Sequence, residues 1–333
     1  MNILNAESKP LVIYLDQNKW IDLARAYHNR PDGNQFRLVL QKVIDTVENK
    51  RAIFPLSGFH FAETQKNENP SRRQRLAQVM ARISQGWTIF IHDIITKTEV
   101  QIAGAKIFGY TPPFPPNVFG HGMAFALGID FRSLMANAIN DPLATSDGFV
   151  HLVETLTSTS QMTELFLSGM VNKETELVEA KREYEENLSK IADATEQFRA
   201  QLKPQFQTEA DHKRLYIANL QIVLRETIND ALNDYEKTLD DIVSMGGDKF
   251  TDFIEEVPSL DVETQLVIRR NANWGKVVDK NDLADISVLT MAIPYCDIVV
   301  TENLWKDLVL RSGLDKKYNT VVISGVNELE EYL

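Results

Sequence analysis

The chain has 333 residues, 44% of them hydrophobic and 25% charged, the proportions of a soluble globular protein with room for one large domain or two ordinary ones. Its net charge of −12 argues against a protein that grips nucleic acid through a broad cationic surface, although it leaves room for an acidic, metal-binding pocket. The single cysteine, Cys296, excludes an internal disulfide framework and a cysteine-based zinc cluster, and no apolar run approaches the roughly 18 residues needed to span a bilayer. The opening MNILNAESKP lacks the basic-then-apolar pattern of a secretory signal, so a reducing, cytoplasmic setting with no membrane contact is expected.

In chain order, the apolar run before Asp16 in LVIYLDQNKW reads as a buried parallel strand, which puts Asp16 at a strand end facing a crevice. Gln17 to His28 has helical spacing, Pro31 to Asn34 is a turn, and Phe36, Val39, Leu40, Val43, Ile44 and Val47 mark a second helix. Ala52 to Leu56 is expected to be a strand. Ser57 then caps a helix that carries His60 and Glu63. A helix over Arg72 to Gln85 and a third strand, Trp87 to Ile91, continue the alternation of an α/β sheet.

The proline- and glycine-rich stretch from Tyr110 to Gly122 marks a boundary. From about Thr163 to Leu202 the pattern is one long charged helix, with Met170, Leu177, Tyr184, Ile191 and Phe198 recurring every seventh residue as one half of a coiled-coil seam. The companion positions are mixed. Pro204 breaks this helix, and a second long one follows with Ile217, Leu220, Leu224, Ile228, Ala231, Tyr235, Leu239 and Ile242 on one face, ending at Gly246 and Gly247. The pair suggests an antiparallel helical hairpin. After Trp274 the α/β character returns: a helix over Asp282 to Ile293, the strand DIVVT, a helix from Asn303 and a last strand near Thr320 to Ser324. The reading is an α/β domain with a central parallel sheet flanked by helices, residues 1–108 and 274–333, interrupted by a large all-helical insertion at 109–273.

Asp16, Glu63, the pair Asp282 and Asp285, and Glu302 with Asn303 all fall near strand ends or helix starts on the expected C-terminal edge of this sheet. Gathered carboxylates repel one another unless a cation sits among them, and hard oxygen ligands suit Mg²⁺ or Mn²⁺. Such an ion lowers the pKa of a bound water and stabilises charge developing at phosphorus. An aspartate at a strand end is also an ordinary helix cap, and one in a first helical turn an ordinary dipole partner. His60, one turn before Glu63, reads as a structural histidine before a proton carrier. Thr301 and Asn303 have the bland reading of a turn, and Arg72, Arg73, Arg75, Arg269 and Arg270 that of solvated helix faces rather than phosphate contacts.

These motifs, YLDQN, PLSGFHFAE, DISVLTMA and DIVVTEN in that order, resemble the PIN-domain nucleases. The resemblance covers about half the chain and implies a PIN-like fold and a divalent-metal-dependent endoribonuclease, cutting single-stranded or looped RNA with a metal-activated water. It places Asp16, Glu63 and Asp285 as metal-binding catalytic acids. Asn303 stands where many members have aspartate, with Glu302 or Asp282 to compensate. A toxin or defence role follows from the resemblance alone. Two alternatives stay open: an inactive PIN-like scaffold that binds a protein partner or a second copy through the helical insertion, and a structure-specific DNA nuclease. Phosphate loops of the G-x-x-x-x-G-K-[ST] and G-x-G-x-x-G types and the G-x-S-x-G elbow are missing from the sequence.

Overall fold

The apolar run Leu11–Leu15 forms strand β1, buried along almost its whole length as a strand with helices on both faces must be. The computed structural model describes residues 9–130, 146–169, 174–203 and 208–333. After β1 come α1 (Gln17–Tyr27), a 3-10 turn (Pro31–Phe36), α2 (Arg37–Glu48), β2 (Ala52–Ile53), α3 (Gly58–Gln65), α4 (Pro70–Ser84), β3 (Trp87–Ile89) and α5 (His92–Phe108). The middle of the chain holds β4 (Phe119–His121), α6 (Gly122–Ala126), α7 (Asp147–Thr157), α8 (Ser160–Ser168), α9 (Glu174–Leu202) and α10 (Glu209–Val223). It continues with α11 (Arg225–Leu232), α12 (Leu239–Ser244), α13 (Gly247–Glu255) and α14 (Pro258–Ala272). Last come α15 (Lys280–Tyr295), β5 (Ile298–Val300), α16 (Asn303–Ser312), α17 (Leu314–Tyr318) and β6 (Val321–Ile323).

Strands β2, β1, β5 and β6 pair in that order, all parallel, with Leu15 beside Val300 and Val300 beside Ile323. The chain leaves β1 for β2 on one side and comes back for β5 and β6 on the other. The direction of winding therefore reverses between β1 and β5, and their C-terminal ends flank the crevice where open α/β sheets take ligands. The two-residue period of a strand divides the core. Ile13, Leu15 and Val300 pack with residues of α1, α2 and α4, whereas Val12, Tyr14 and Val299 pack with residues of α15 and α16.

Several expectations are corrected. The third strand does not join the parallel sheet as a full member. β3 pairs antiparallel with β4 and touches the sheet through a single parallel bridge between Thr88 and Leu56. β4 lies inside the proline-rich stretch taken as a boundary, so the segment 109–273 is not wholly helical. One long helix from Thr163 to Leu202 is also not observed, because Gly169 turns left-handed (φ 72°) and ends α8. Met170 and Pro204 lie outside the described residues, as do the side chains of Leu177 and Tyr184. The two seam positions that are described, Ile191 and Phe198, face solvent, while Ala192 and Arg199 are buried. Polar anchoring decides this register: Arg199 donates to the carbonyls of Asn271 and Asn273 and its guanidinium lies over the Trp274 ring.

The second long helix is broken too. Ile217, Leu220, Ile228, Ala231, Leu239 and Ile242 are buried together as expected, but the chain bends at Leu224 and again at Glu236, whose φ is 53°. Among the described residues α9 packs chiefly on α15, and α10 on α14, rather than on each other as a hairpin. Helix α8 packs on α3 and α4, sending Leu167 into the core shared with the sheet. Glu99 of α5 accepts from the backbone and hydroxyl of Ser259 and from Tyr295, tying α5, α14 and α15 together around one buried carboxylate. Among the described residues no helix is long and apolar enough to cross a membrane.

Candidate functional site

Asp16 is the first residue beyond β1. Its N–H donates to the carbonyl of Val300 at 2.9 Å, and its Oδ1 accepts from the N–H of Gln17 at 2.7 Å. It is therefore the N-cap of α1 and, through the same position, part of the crevice wall: capping and pocket roles coincide. Asp285, on the second turn of α15, lines the same pocket with Tyr14, Gln17, His60 and Glu63, and Thr301 closes it at the end of β5. About 20 Å³ of this pocket is open to a particle the size of water, enough for one water molecule or a small ion.

The charge of Asp16 is felt at Asp285. Burial pushes Asp285 from 3.8 up to about 8, and the charge of Asp16 adds to the rise while a hydrogen bond from the Trp305 indole to Oδ2, 2.8 Å long, opposes it. Burial likewise raises Asp16 from 3.8 to about 6; the Gln17 hydrogen bond holds it back, and the charges of Glu302 and Glu63 push it further. Glu63 lines the pocket but also meets Lys66 at 3.6 Å, one turn along α3. Glu302, exposed at the N-cap of α16, accepts from the Asn18 amide at 2.8 Å, across the rim between the two central strands.

His60 is a tie rather than a proton carrier. Its Nδ1 accepts from the N–H of Ser57 at 2.9 Å, and its Nε2 bonds the carbonyl of Leu15 at 2.9 Å, which requires the proton on Nε2. Burial drives its pKa from 6.5 down to about 3, so the ring stays neutral and joins the end of β1 to the start of α3. In doing so it sets Asp16 and Glu63 relative to each other.

Other expected residues stand apart. Asp282 is buried against Arg270, whose guanidinium also donates to the Val277 carbonyl at 2.7 Å, and it accepts from the N–H of Asp279 at 3.0 Å in a capping box. Its spacing from Asp285 does suggest a shared face, yet the buried cation from α14 takes it out of the pocket. Arg270 itself is therefore no phosphate contact. Arg73 is likewise engaged, donating to the carbonyls of Ser168 and Asn67 at 2.6 and 2.9 Å. Asn303 is exposed at the first position of α16, and it is Thr301, not Asn303, that walls the pocket at this strand end.

Three contributors are not evident from motif spacing. Tyr14 points into the pocket from β1, and Trp305 orients Asp285 from α16. Gln17 donates from Nε2 to the Thr64 hydroxyl at 3.1 Å, which leaves its Oε1 buried with no partner. The period of β1 marks Tyr14 as inward-facing, whereas only the folded sheet brings Trp305 to Asp285.

The donor chemistry fits a hard divalent cation: carboxylates whose charge is disfavoured as they stand, together with an orphaned amide oxygen. Among the described residues no three His, Cys, Asp or Glu side chains are grouped so as to hold a metal. The fit therefore rests on a pair of carboxylates, which suffices for ions that keep several waters and accept phosphate oxygens. Compared with protein-family models, with curated proteins and with solved structures, the chain has no match.

Proposed function

We propose that this chain is a divalent-metal-dependent nuclease with a PIN-like α/β domain, an endoribonuclease acting on single-stranded or looped RNA. One observation carries the reading. Asp16 and Asp285, far apart in the chain, line one pocket at the switch point of a parallel sheet, and the charge of Asp16 raises the cost of ionising Asp285. Such a pair is stable as two carboxylates only with positive charge between them. When bound, Mg²⁺ or Mn²⁺ would supply Lewis-acid stabilisation of the phosphate and an activated water.

The chain's own residues do the positioning. The Gln17 N–H and the Trp305 indole each occupy one oxygen of Asp16 and Asp285, which leaves the second oxygen of each carboxylate for a ligand. Gln17 Oε1 offers a third acceptor, and Glu63 adds a carboxylate to the pocket wall beside Lys66.

Labelled single-stranded RNA incubated with the protein and Mn²⁺, with and without EDTA, beside Asp16→Ala and Asp285→Asn, tests the reading. It requires cleavage that EDTA and either substitution abolish. Single-stranded and branched DNA in parallel lanes would show whether DNA is the substrate instead. A second reading, an inactive scaffold that binds a partner, draws support from Asp282 and Asn303 lying outside the pocket; equal absence of cleavage in every lane would favour it.

A further inference from the structure

Beside the acidic pocket lies a second cavity, of about 410 Å³, in the size range of sites that bury a small ligand. Its wall is mainly apolar, with Phe59, Phe90, Leu127 and Met291 prominent, and polar side chains such as His92 and Ser287 interrupt it. The two cavities adjoin: Phe59 and Val288 line both. The sequence explains the junction. Phe59 sits one turn before Glu63 on α3 and Val288 one turn after Asp285 on α15, so each helix presents an acid to one cavity and an apolar neighbour to both. Side chains so spaced on a helix lie about 5–6 Å apart at their Cβ atoms.

We propose that this second cavity holds a nucleobase, the one attached to the nucleotide whose phosphate lies at Asp16 and Asp285. The inference rests on the nuclease reading and adds to it the requirement for an unpaired base. An unpaired base has two flat apolar faces and a polar edge, and proteins that select single strands hold it against aromatic rings while hydrogen-bonding the edge. Here Phe59 and Phe90 supply the rings, and the Ser287 hydroxyl and the Asp93 carboxylate supply a donor and acceptors, His92 being turned to Asp93 and Thr96. A base still paired and stacked in a duplex cannot enter, so the cavity selects single strands and loops by shape. Asp93 also lines the wall, so an anionic occupant would meet a like charge there, and a purely aliphatic one would leave the polar groups unsatisfied.

The test separates base from phosphate. The fluorescent nucleoside 2-aminopurine riboside, which carries no phosphate and needs no metal, is titrated into the full chain. Saturable quenching is expected. Filling the cavity from its partly exposed wall, by Leu127→Trp or independently by Ala62→Leu, should weaken it about 5- to 150-fold, the worth of one stacked base. Thermal melting of both variants checks that they fold. In a second arm, RNA with an abasic site moved along it should resist cleavage when the gap falls beside the cut. A nucleoside that fails to bind, or that binds filled variants as well as the parent, overturns the inference. If the parent cuts nothing with Mn²⁺ the nuclease reading fails, and the nucleoside titration still decides whether this cavity takes a base.

Discussion

The indole N–H of Trp305 donates to Oδ2 of Asp285 at 2.8 Å, so α16 sets the direction of a carboxylate that α15 supplies. Trp305 is itself 1% exposed, which leaves the carboxylate little freedom to swing away. Groups that orient a metal ligand from behind are worth about 10–100-fold in affinity or activity. Trp305→Phe keeps most of the ring and removes the donor. We expect Mn²⁺ affinity and RNA cleavage to fall by about that factor, with a loss of about 1–2 kcal/mol in stability. Calorimetric Mn²⁺ titration beside denaturant unfolding measures both; unchanged affinity would dismiss the orienting role.

A cation should stabilise the protein more at alkaline than at acid pH. Asp285 ionises near 3.8 in an unfolded chain and at about 8 in the fold, and Asp16 moves from 3.8 to about 6. The folded state thus holds these protons longer, so their contribution to stability is full at low pH and is lost as pH rises through those folded values. For Asp285 the loss is of order a few kcal/mol. A bound divalent ion restores it by favouring the charged forms. The rise in Tm produced by Mn²⁺ should therefore be several degrees larger near pH 8 than near pH 5, and should collapse in Asp285→Asn. Equal shifts at both pH values would mean that the ion binds elsewhere.

What could be read from the chain depends on how local each signal is. The run ending at Asp16 and the helical pattern around Asp285 are continuous, and strand and helix form where expected. Their meeting follows from β1 lying beside β5, which no local pattern states. The error over Asp282 has the same origin. Helical spacing puts it near Asp285, but Arg270, buried from the preceding helix, decides its partner. At Ile191 and Phe198, the heptad positions that are described, the stripe faces solvent while the polar anchoring of Arg199 holds the helix, and the long second helix failed at Leu224 and Glu236, where the backbone leaves the helix although the buried face continues.

Asp282 should prove structural. Removing one partner from a buried ion pair leaves a charge without compensation and costs about 3–5 kcal/mol. Asp282→Ala strands the Arg270 guanidinium and also removes the capping box of α15. Tm should fall sharply, while Mn²⁺ affinity per folded molecule stays within about twofold of the parent. Asp285→Asn should do the reverse, since it relieves repulsion while removing a ligand charge. If Asp282→Ala instead abolished cation binding without loss of stability, its place outside the pocket would be wrong.

His60 ties β1 to α3 through the Leu15 carbonyl and the Ser57 N–H. Its pKa of about 3 lies below the 6.5 of an unfolded histidine, so its contribution to stability is present above pH 6.5 and is lost as pH falls toward 3. Replacement by alanine leaves the Leu15 carbonyl and the Ser57 N–H without their partner in a buried position and opens a cavity beside Trp20 and Tyr14. A loss of about 3–5 kcal/mol at neutral pH is expected. Histidine's own acid limb should then be missing from the stability profile of His60→Ala, whereas the parent steadily loses stability below pH 6.5. His60→Gln, which can still offer one donor and one acceptor, should recover part of the neutral-pH loss but not the acid limb. Chemical denaturation at a series of pH values reads all three proteins. An acid limb that persists unchanged in both variants would assign it to other groups and leave His60 as simple packing.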